Sequence, residues 1–175
     1  DEDFSPGLKR FTPHLKVALS KFELSGVEGS ATSWQQLGKW QFDNLIDGRD
    51  DISEQTQQKI KDLVSGIDDP VERAKKVYQY VQDKTRYISI QVGIGGWLPV
   101  KASEVDEVKY GDCKALTNYT KALLKIADVP SNYAVVYGGS TKNDIDPDFP
   151  SMQGNHVILN LPQADKQDIW LECTS

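Results

Sequence analysis

Lys109-Tyr110-Gly111-Asp112-Cys113-Lys114-Ala115-Leu116 is the stretch on which the reading of this chain turns. It reads as a turn feeding a helix: Gly111 loosens the backbone, Asp112 is a natural N-cap, and Cys113 falls in the first turn. A thiol placed there sees the positive end of the helix dipole, which favours the nucleophilic thiolate. The helix is predicted to run to about Ala127, with Leu116, Tyr119, Leu123 and Ile126 as its buried stripe and Pro130 just beyond its end.

Upstream, Ser53 opens a predicted helix to about Ser65, with Ile60, Leu63, Val64 and Ile67 on its apolar face. Asp69-Pro70-Val71-Glu72 is a second start signal: an N-cap, Pro at the first helical position, and an acid three residues after the cap. Arg86 to Val92 alternates as a strand would, with Tyr87, Ser89 and Gln91 on its polar face, before a glycine-rich break and Trp97-Leu98-Pro99. Downstream, Tyr133–Tyr137, Asn155–Leu161 and Asp168–Thr174 are predicted strands, and residues 138–154 a polar loop. Helices followed by antiparallel strands predict an α+β fold. Residues 1–50 differ from the rest. His14 to Leu24 alternates like a strand and Ser33 caps a short helical turn, so this region reads as a lead-in, the end of a preceding β domain, with the core spanning 51–175.

The 175 residues suffice for one domain with a core, and the composition, 38% hydrophobic and 26% charged, is that of a globular protein. A net charge of −6 lacks the basic footprint of a nucleic-acid or anionic-membrane binder. No apolar run approaches the ~18 residues of a spanning helix, so no membrane insertion is expected. Because residue 1 is Asp and the single Met is Met152, the chain is expected to be a portion of a longer multidomain protein. Asp144, Asp146 and Asp148 alternate, but an EF-hand-type calcium loop needs Gly sixth and Glu twelfth, where this chain has Phe149 and Asn155. No metal and no cofactor are therefore expected.

Asn155-His156-Val157 and Trp170-Leu171-Glu172 supply a base and an acid downstream of the cysteine. If residues 162–167 form a symmetric hairpin loop, Leu161 pairs with Asp168, and His156 lies opposite Cys173 or, after a one-residue register slip, Glu172. Side chains alternate along a strand, so His156 can share a face with only one of them. Matching the polar faces puts His156 beside Glu172 and sends Cys173 into the core, away from a disulfide with Cys113; a slip of one residue would reverse this. A cysteine nucleophile needs an imidazole partner, and the imidazole needs a carboxylate on its other nitrogen. The backbone N–H of Cys113 and the side chain of Gln91 are the candidate oxyanion donors, and Trp97 and Tyr110 the candidate walls of a substrate cleft.

These stretches, Tyr110-Gly111-Asp112-Cys113-Lys114-Ala115, Ala127-Asp128-Val129-Pro130, Asn155-His156-Val157 and Trp170-Leu171-Glu172-Cys173-Thr174, resemble the transglutaminase-like superfamily over roughly residues 50–175. They look most like the bacterial transglutaminase-like domains that follow an N-terminal β domain. The resemblance implies a papain-like core in which the central helix carries the cysteine and packs on an antiparallel sheet. It implies Cys113 as nucleophile, His156 as base and Glu172 as orienting acid, acting on a peptide or protein substrate in an extracytoplasmic setting. One departure stands out: the family's acid is usually Asp followed by Pro, and here Glu172 precedes Cys173. Two functional readings follow: thiol-dependent acyl transfer on a peptide or carboxamide, as protease, amidase or transglutaminase-like enzyme, or a binding module that keeps the fold without turnover. A disulfide-stapled domain without a site is the third.

Overall fold

The computed structural model describes residues 11–140 and 142–174. Its centre is helix α5, Cys113–Ile126, whose N-cap Asp112 accepts the Ala115 N–H at 3.0 Å. Leu116, Tyr119 and Leu123 are buried and Ile126 packs at the edge of the core. The burial exceeds a stripe. Lys114, Thr117, Asn118 and Thr120 are buried too, so the helix is enclosed on almost every side.

Four helices pack around or beside it. Helix α1, Trp34–Gln41, is capped by Ser33 and runs into a π-helical turn, Phe42–Ile46. Helix α2, Glu54–Leu63, starts on Ser53, and α3, Pro70–Lys84, on Asp69. Helix α4, Ala102–Val108, has no counterpart among the sequence expectations; it buries Ala102 and Val105 and stops at Lys109, whose φ of 60° is left-handed. Ile60, Val77, Val81 and Val105 bring α2, α3 and α4 into one apolar core with α5.

The sheet is small. Strand β5, Asn132–Val136, pairs antiparallel with β6, His156–Leu161, which pairs antiparallel with β7, Ile169–Leu171. Val157, Leu159 and Leu161 point into the core. The β6–β7 register differs by one residue from the symmetric-loop expectation: Leu161 faces Ile169, not Asp168. Asp168 is drawn out of the ladder because its carboxylate accepts the Gln163 N–H at 3.0 Å and the Asn160 amide at 2.9 Å, closing the loop. A two-residue parallel bridge joins β3, Arg86–Tyr87, to β4, Tyr110–Gly111.

Two sequence expectations fail. Only Arg86–Tyr87 of the 86–92 stretch is strand, and Ile90 and Val92 stand exposed because no neighbour extends the pairing beyond β4. Of the alternating 14–24 stretch, only β1, Lys21–Leu24, is paired, with β2, Val27–Ser30, across a Ser25-Gly26 turn in which both residues have positive φ. Leu15, Val17 and Leu19 are exposed. The hairpin, α1 and the π-turn form a second apolar cluster, with Phe22 edge-on to Trp40 at 4.8 Å, and that cluster packs on Trp97, Leu98 and Tyr133.

One half-buried carboxylate ties three helices. Asp106 of α4 accepts from Tyr119 Oη of α5 at 2.7 Å, Thr56 Oγ1 of α2 at 2.8 Å and Lys109 Nζ at 2.7 Å. Burial opposes its ionisation, but these donors prevail and hold its pKa below the ordinary aspartate value. Its contribution to stability is therefore present above that value and lost as pH falls through the lowered one. Tyr119→Phe removes a hydrogen bond to a charged group and is expected to lower the unfolding free energy by about 1.5–3 kcal/mol. A urea midpoint unchanged in the variant would show that the phenol carries no such load.

Candidate active site

Three elements meet at a cavity of about 180 Å³ lined by Gln91, Trp97, Cys113, Lys114, Tyr133 and His156, among others. Cys113 stands at the N-terminus of α5, and Thr117 of the same helix donates to the Val157 carbonyl at 3.2 Å, which fastens α5 to β6 next to His156. Gly111 matters here through close approach rather than looseness: a Cβ on it would lie 2.6 Å from the Ala115 Cβ, inside the first turn of the cysteine helix.

His156 Nε2–H donates to Glu172 Oε2 at 2.6 Å. With that nitrogen engaged, Nδ1 is the one left to exchange a proton with a reacting group. The pair shares a face because the ladder puts Asn160 opposite Trp170 and, continued, Ile158 opposite Glu172, leaving His156 diagonal to the carboxylate. The symmetric register would have set His156 opposite Cys173; the one-residue shift turns the ladder so that His156 shares its face with Glu172 and Thr174, the arrangement that matching the polar faces requires.

Glutamate has one methylene more than the aspartate of the family pattern, and its neighbours fix the longer arm. Thr174 donates to Glu172 Oε1 from its N–H at 3.0 Å and its hydroxyl at 2.6 Å, while Oε2 faces His156. Tyr78 of α3 hydrogen-bonds the Glu172 carbonyl. Burial works against ionisation, but the Thr174 and His156 hydrogen bonds outweigh it and lower the Glu172 pKa. Behind the imidazole lies Gly138. A Cβ there would come within 3.0–3.1 Å of His156 Cβ, Cγ and Cδ2, and Asn155 clamps that glycine through its N–H at 2.8 Å and its carbonyl at 3.1 Å.

The environment of Cys113 departs from the expectation of a helix-activated thiolate. Burial is the strongest influence and raises its pKa; Lys114 pulls it down, Asp112 pushes it up, and hydrogen bonds from the Lys114 and Val157 backbone favour the anion. Desolvation is the largest of these influences. Lys114 and Asp112 form an ion pair in which the side chains keep only 6% and 4% of their accessible surface, beside the sulfur. Tyr133, whose pKa burial raises further, stays a protonated phenol in the same wall. Sequence reasoning passed over Lys114, Tyr133 and Gly138; Lys114 follows the cysteine directly, where a charged residue on an enclosed helix was the available sign.

The remaining candidates divide. Gln91 and Trp97 line the cavity, Gln91 from irregular chain rather than from a strand. Tyr110 sits outside it in β4, with the Arg86 guanidinium 6.0 Å from its ring centre. Cys173 is buried in the core, and burial pushes its thiol up to about 11; both cysteines are free thiols. Among the described residues no helix is long and apolar enough to cross a membrane.

The model of the transglutaminase-like superfamily matches residues 57–174, and the chain belongs to that superfamily. No curated protein matches it. Among solved structures, a "putative protease" from Parabacteroides distasonis has a similar fold, with a TM-score of 0.57 at 18% identity. The similarity covers 77% of this chain and 26% of that one, so the chain spans about a quarter of its neighbour's length. The class defined is a transglutaminase-like α+β domain with a thiol-bearing central helix.

Two consequences are measurable. Lys114→Met leaves Asp112 as an uncompensated buried charge and is expected to cost about 3–5 kcal/mol of unfolding free energy in urea; a loss under ~1 kcal/mol would fit a surface-like pair instead. Because the folded-state pKa of Glu172 is lowered, its contribution is complete above the ~4.3 of a free glutamate and is lost as pH falls below that. Glu172→Gln should therefore flatten the acid limb of the stability profile, and an unaltered limb would show that the carboxylate is not held in its charged form.

Proposed function

We propose that the domain is a thiol hydrolase or acyltransferase acting on peptide or carboxamide substrates. The observation that carries this reading is the His156–Glu172 hydrogen bond at 2.6 Å beside a cavity that Cys113 also lines. Burial makes the lone thiolate unfavourable, so the thiol is best ionised by passing its proton to His156 Nδ1 as the pair enters the reaction. The sulfur attacks the substrate carbonyl, and the carbonyl electrons move onto oxygen, facing the Cys113 N–H and the Gln91 amide. Collapse of the adduct breaks the C–N bond, and His156 returns its proton to the departing amine. The thioester that remains is attacked by water, which gives a proton to His156, releasing the carboxylic acid and regenerating the thiol. An amine in place of water gives a new amide.

Hydrolysis is the default outcome, since water needs no acceptor site. In this reading Glu172 keeps Nε2 protonated and leaves Nδ1 free to take the thiol proton. The reading extends to an extracytoplasmic protein of several domains.

A non-catalytic binding module is the second reading, favoured by the 4% exposure of Cys113 and its raised pKa. Iodoacetamide labelling read by peptide mass spectrometry separates the two. For the enzyme, Cys113 should label faster than Cys173 near neutral pH and slow at least tenfold in His156→Ala, and hydrolysis of a peptide-amide library should disappear in Cys113→Ala. Equal, slow labelling of both thiols, unmoved by His156→Ala, would establish the module instead.

A further inference from the structure

A second and larger cavity, about 510 Å³, opens beside the first and shares Gln41, Trp97, Tyr133 and Val135 with it. Its volume falls within the ~300–1,000 Å³ of small-molecule pockets. One wall is α1 and the π-turn, through Leu37, Trp40, Phe42 and Leu45; the facing wall includes Ile145 and Met152 of the 138–154 loop. The hydrogen bond from Trp34 Nε1–H to the Pro147 carbonyl, 2.7 Å, ties the two walls together. Lys121 is the one charged residue in the lining, and Phe42 and Met152 leave 47% and 36% of their surface in solvent.

The rim of this cavity carries an unusual choice, the exposed Gly38. Gly38 lies inside α1, where glycine costs about 1 kcal/mol relative to alanine. Its φ is not positive, and a Cβ built on it would meet nothing within 4 Å. Neither backbone conformation nor packing calls for glycine there; what its absence of a side chain provides is room in the cavity. The adjoining π-turn, a feature that recurs at functional sites, carries Phe42 and Leu45 of the same wall.

We infer that this groove is the specificity subsite of the thiol centre and takes a large apolar side chain, aliphatic or aromatic, of a peptide substrate. The occupant follows from the continuity of the two cavities: a peptide whose carbonyl lies at Cys113 passes Trp97 and Tyr133, and an adjacent side chain then enters a wall almost free of charge. Burying such a side chain contributes roughly 1.5–3 kcal/mol. Acidic or amide side chains would lose hydration there for little return. The inference rests on Cys113 being the nucleophile. It also gives the N-terminal residues 34–46, which precede the superfamily match at 57, a part in choosing the substrate.

The test uses the whole chain and a series of N-acyl dipeptidyl vinyl sulfones with Leu, Phe, Ala or Glu at each of the two positions. Second-order rates of Cys113 modification are divided by the iodoacetamide rate of the same variant, so that thiol reactivity cancels. The expected result at one position is a preference of at least tenfold for Leu or Phe over Ala, and more over Glu. Gly38→Phe, which fills the groove from the helix and improves its propensity, should reduce that preference to under threefold; Gly38→Ala, which adds only a methyl, should retain most of it. Melting curves confirm that both variants fold. Rates indifferent to the side chain, or a preference that survives Gly38→Phe while iodoacetamide still labels Cys113, would overturn the subsite, as would a groove closed to every probe by another segment of the chain. Failure of iodoacetamide to label Cys113 in the wild type would instead remove the nucleophile on which the subsite depends.

Discussion

The structure depends on the enclosure of α5. A helix buried on nearly every side cannot carry polar groups without partners, because each would forfeit its hydration. The polar residues of α5 therefore become the fastenings of the fold. Thr117 holds β6 through the Val157 carbonyl, Asn118 holds the Arg49 carbonyl ahead of α2 at 2.8 Å, Thr120 turns back to the Leu116 carbonyl at 2.7 Å, and Tyr119 reaches Asp106 of α4. The neutral bonds are individually small, about 1 kcal/mol net each, and only the one from Tyr119 to the charged Asp106 is larger. Together they permit few arrangements of strand and helix around the axis. The strand fastened to the first turn of α5 carries His156, so the same constraint that satisfies the helix places imidazole and thiol at one cavity.

That enclosure has an electrostatic consequence. An N-terminal thiol is helped by the helix dipole by only ~0.3–1 kcal/mol at exposed positions, while burial penalises any isolated charge by more. At Cys113 burial is the largest influence and raises the thiol's pKa. The acidic partner of the imidazole is placed differently: Glu172 keeps 42% of its side-chain surface exposed and is held charged by Thr174 and His156. For the proposed reaction, a buried thiol beside an imidazole anchored to a wet carboxylate would suit proton transfer on demand better than a standing ion pair.

How far this was legible in the sequence follows from the range of the forces involved. Caps act over three residues, and Ser33, Ser53, Asp69 and Asp112 all cap the helices that their positions imply. The pairing of His156 with Glu172 was legible from the polar faces and not from the loop: a symmetric loop sets His156 opposite Cys173, whereas Asp168 leaves the ladder for its loop and the one-residue shift brings the two polar faces into coincidence. The alternation in 14–24 and 86–92 misled because a period of two reports a half-buried strand only when a neighbouring strand exists; past Tyr87 and before Lys21 the ladders end. The role of Gly111 and the presence of Gly138 behind His156 were closed to sequence reasoning, since both glycines answer to close approach by particular atoms, one from the following turn and one from a strand eighteen residues on.

The N-terminal residues show what a lead-in can become. Hairpin, α1 and π-turn bury Leu37, Trp40, Leu45 and Ile46 against Trp97, Leu98 and Tyr133, and Trp97 and Tyr133 are also walls of the thiol cavity. A segment that supplies apolar partners to cleft residues cannot be neutral toward the cleft: whatever shifts α1 shifts Trp97, and whatever enters beside Trp97 competes with α1. The superfamily core, matched from residue 57, contains the cysteine, histidine and acid but not this wall. On the proposed reading, chemistry and selection would fall to different parts of the chain, the first to a buried helix whose surroundings tolerate little change, the second to a peripheral helix whose Gly38 faces open space. Under that proposal, substitutions in the outer wall would alter the side chain accepted without disturbing the groups that would react, because the two cavities meet only at the four residues they share.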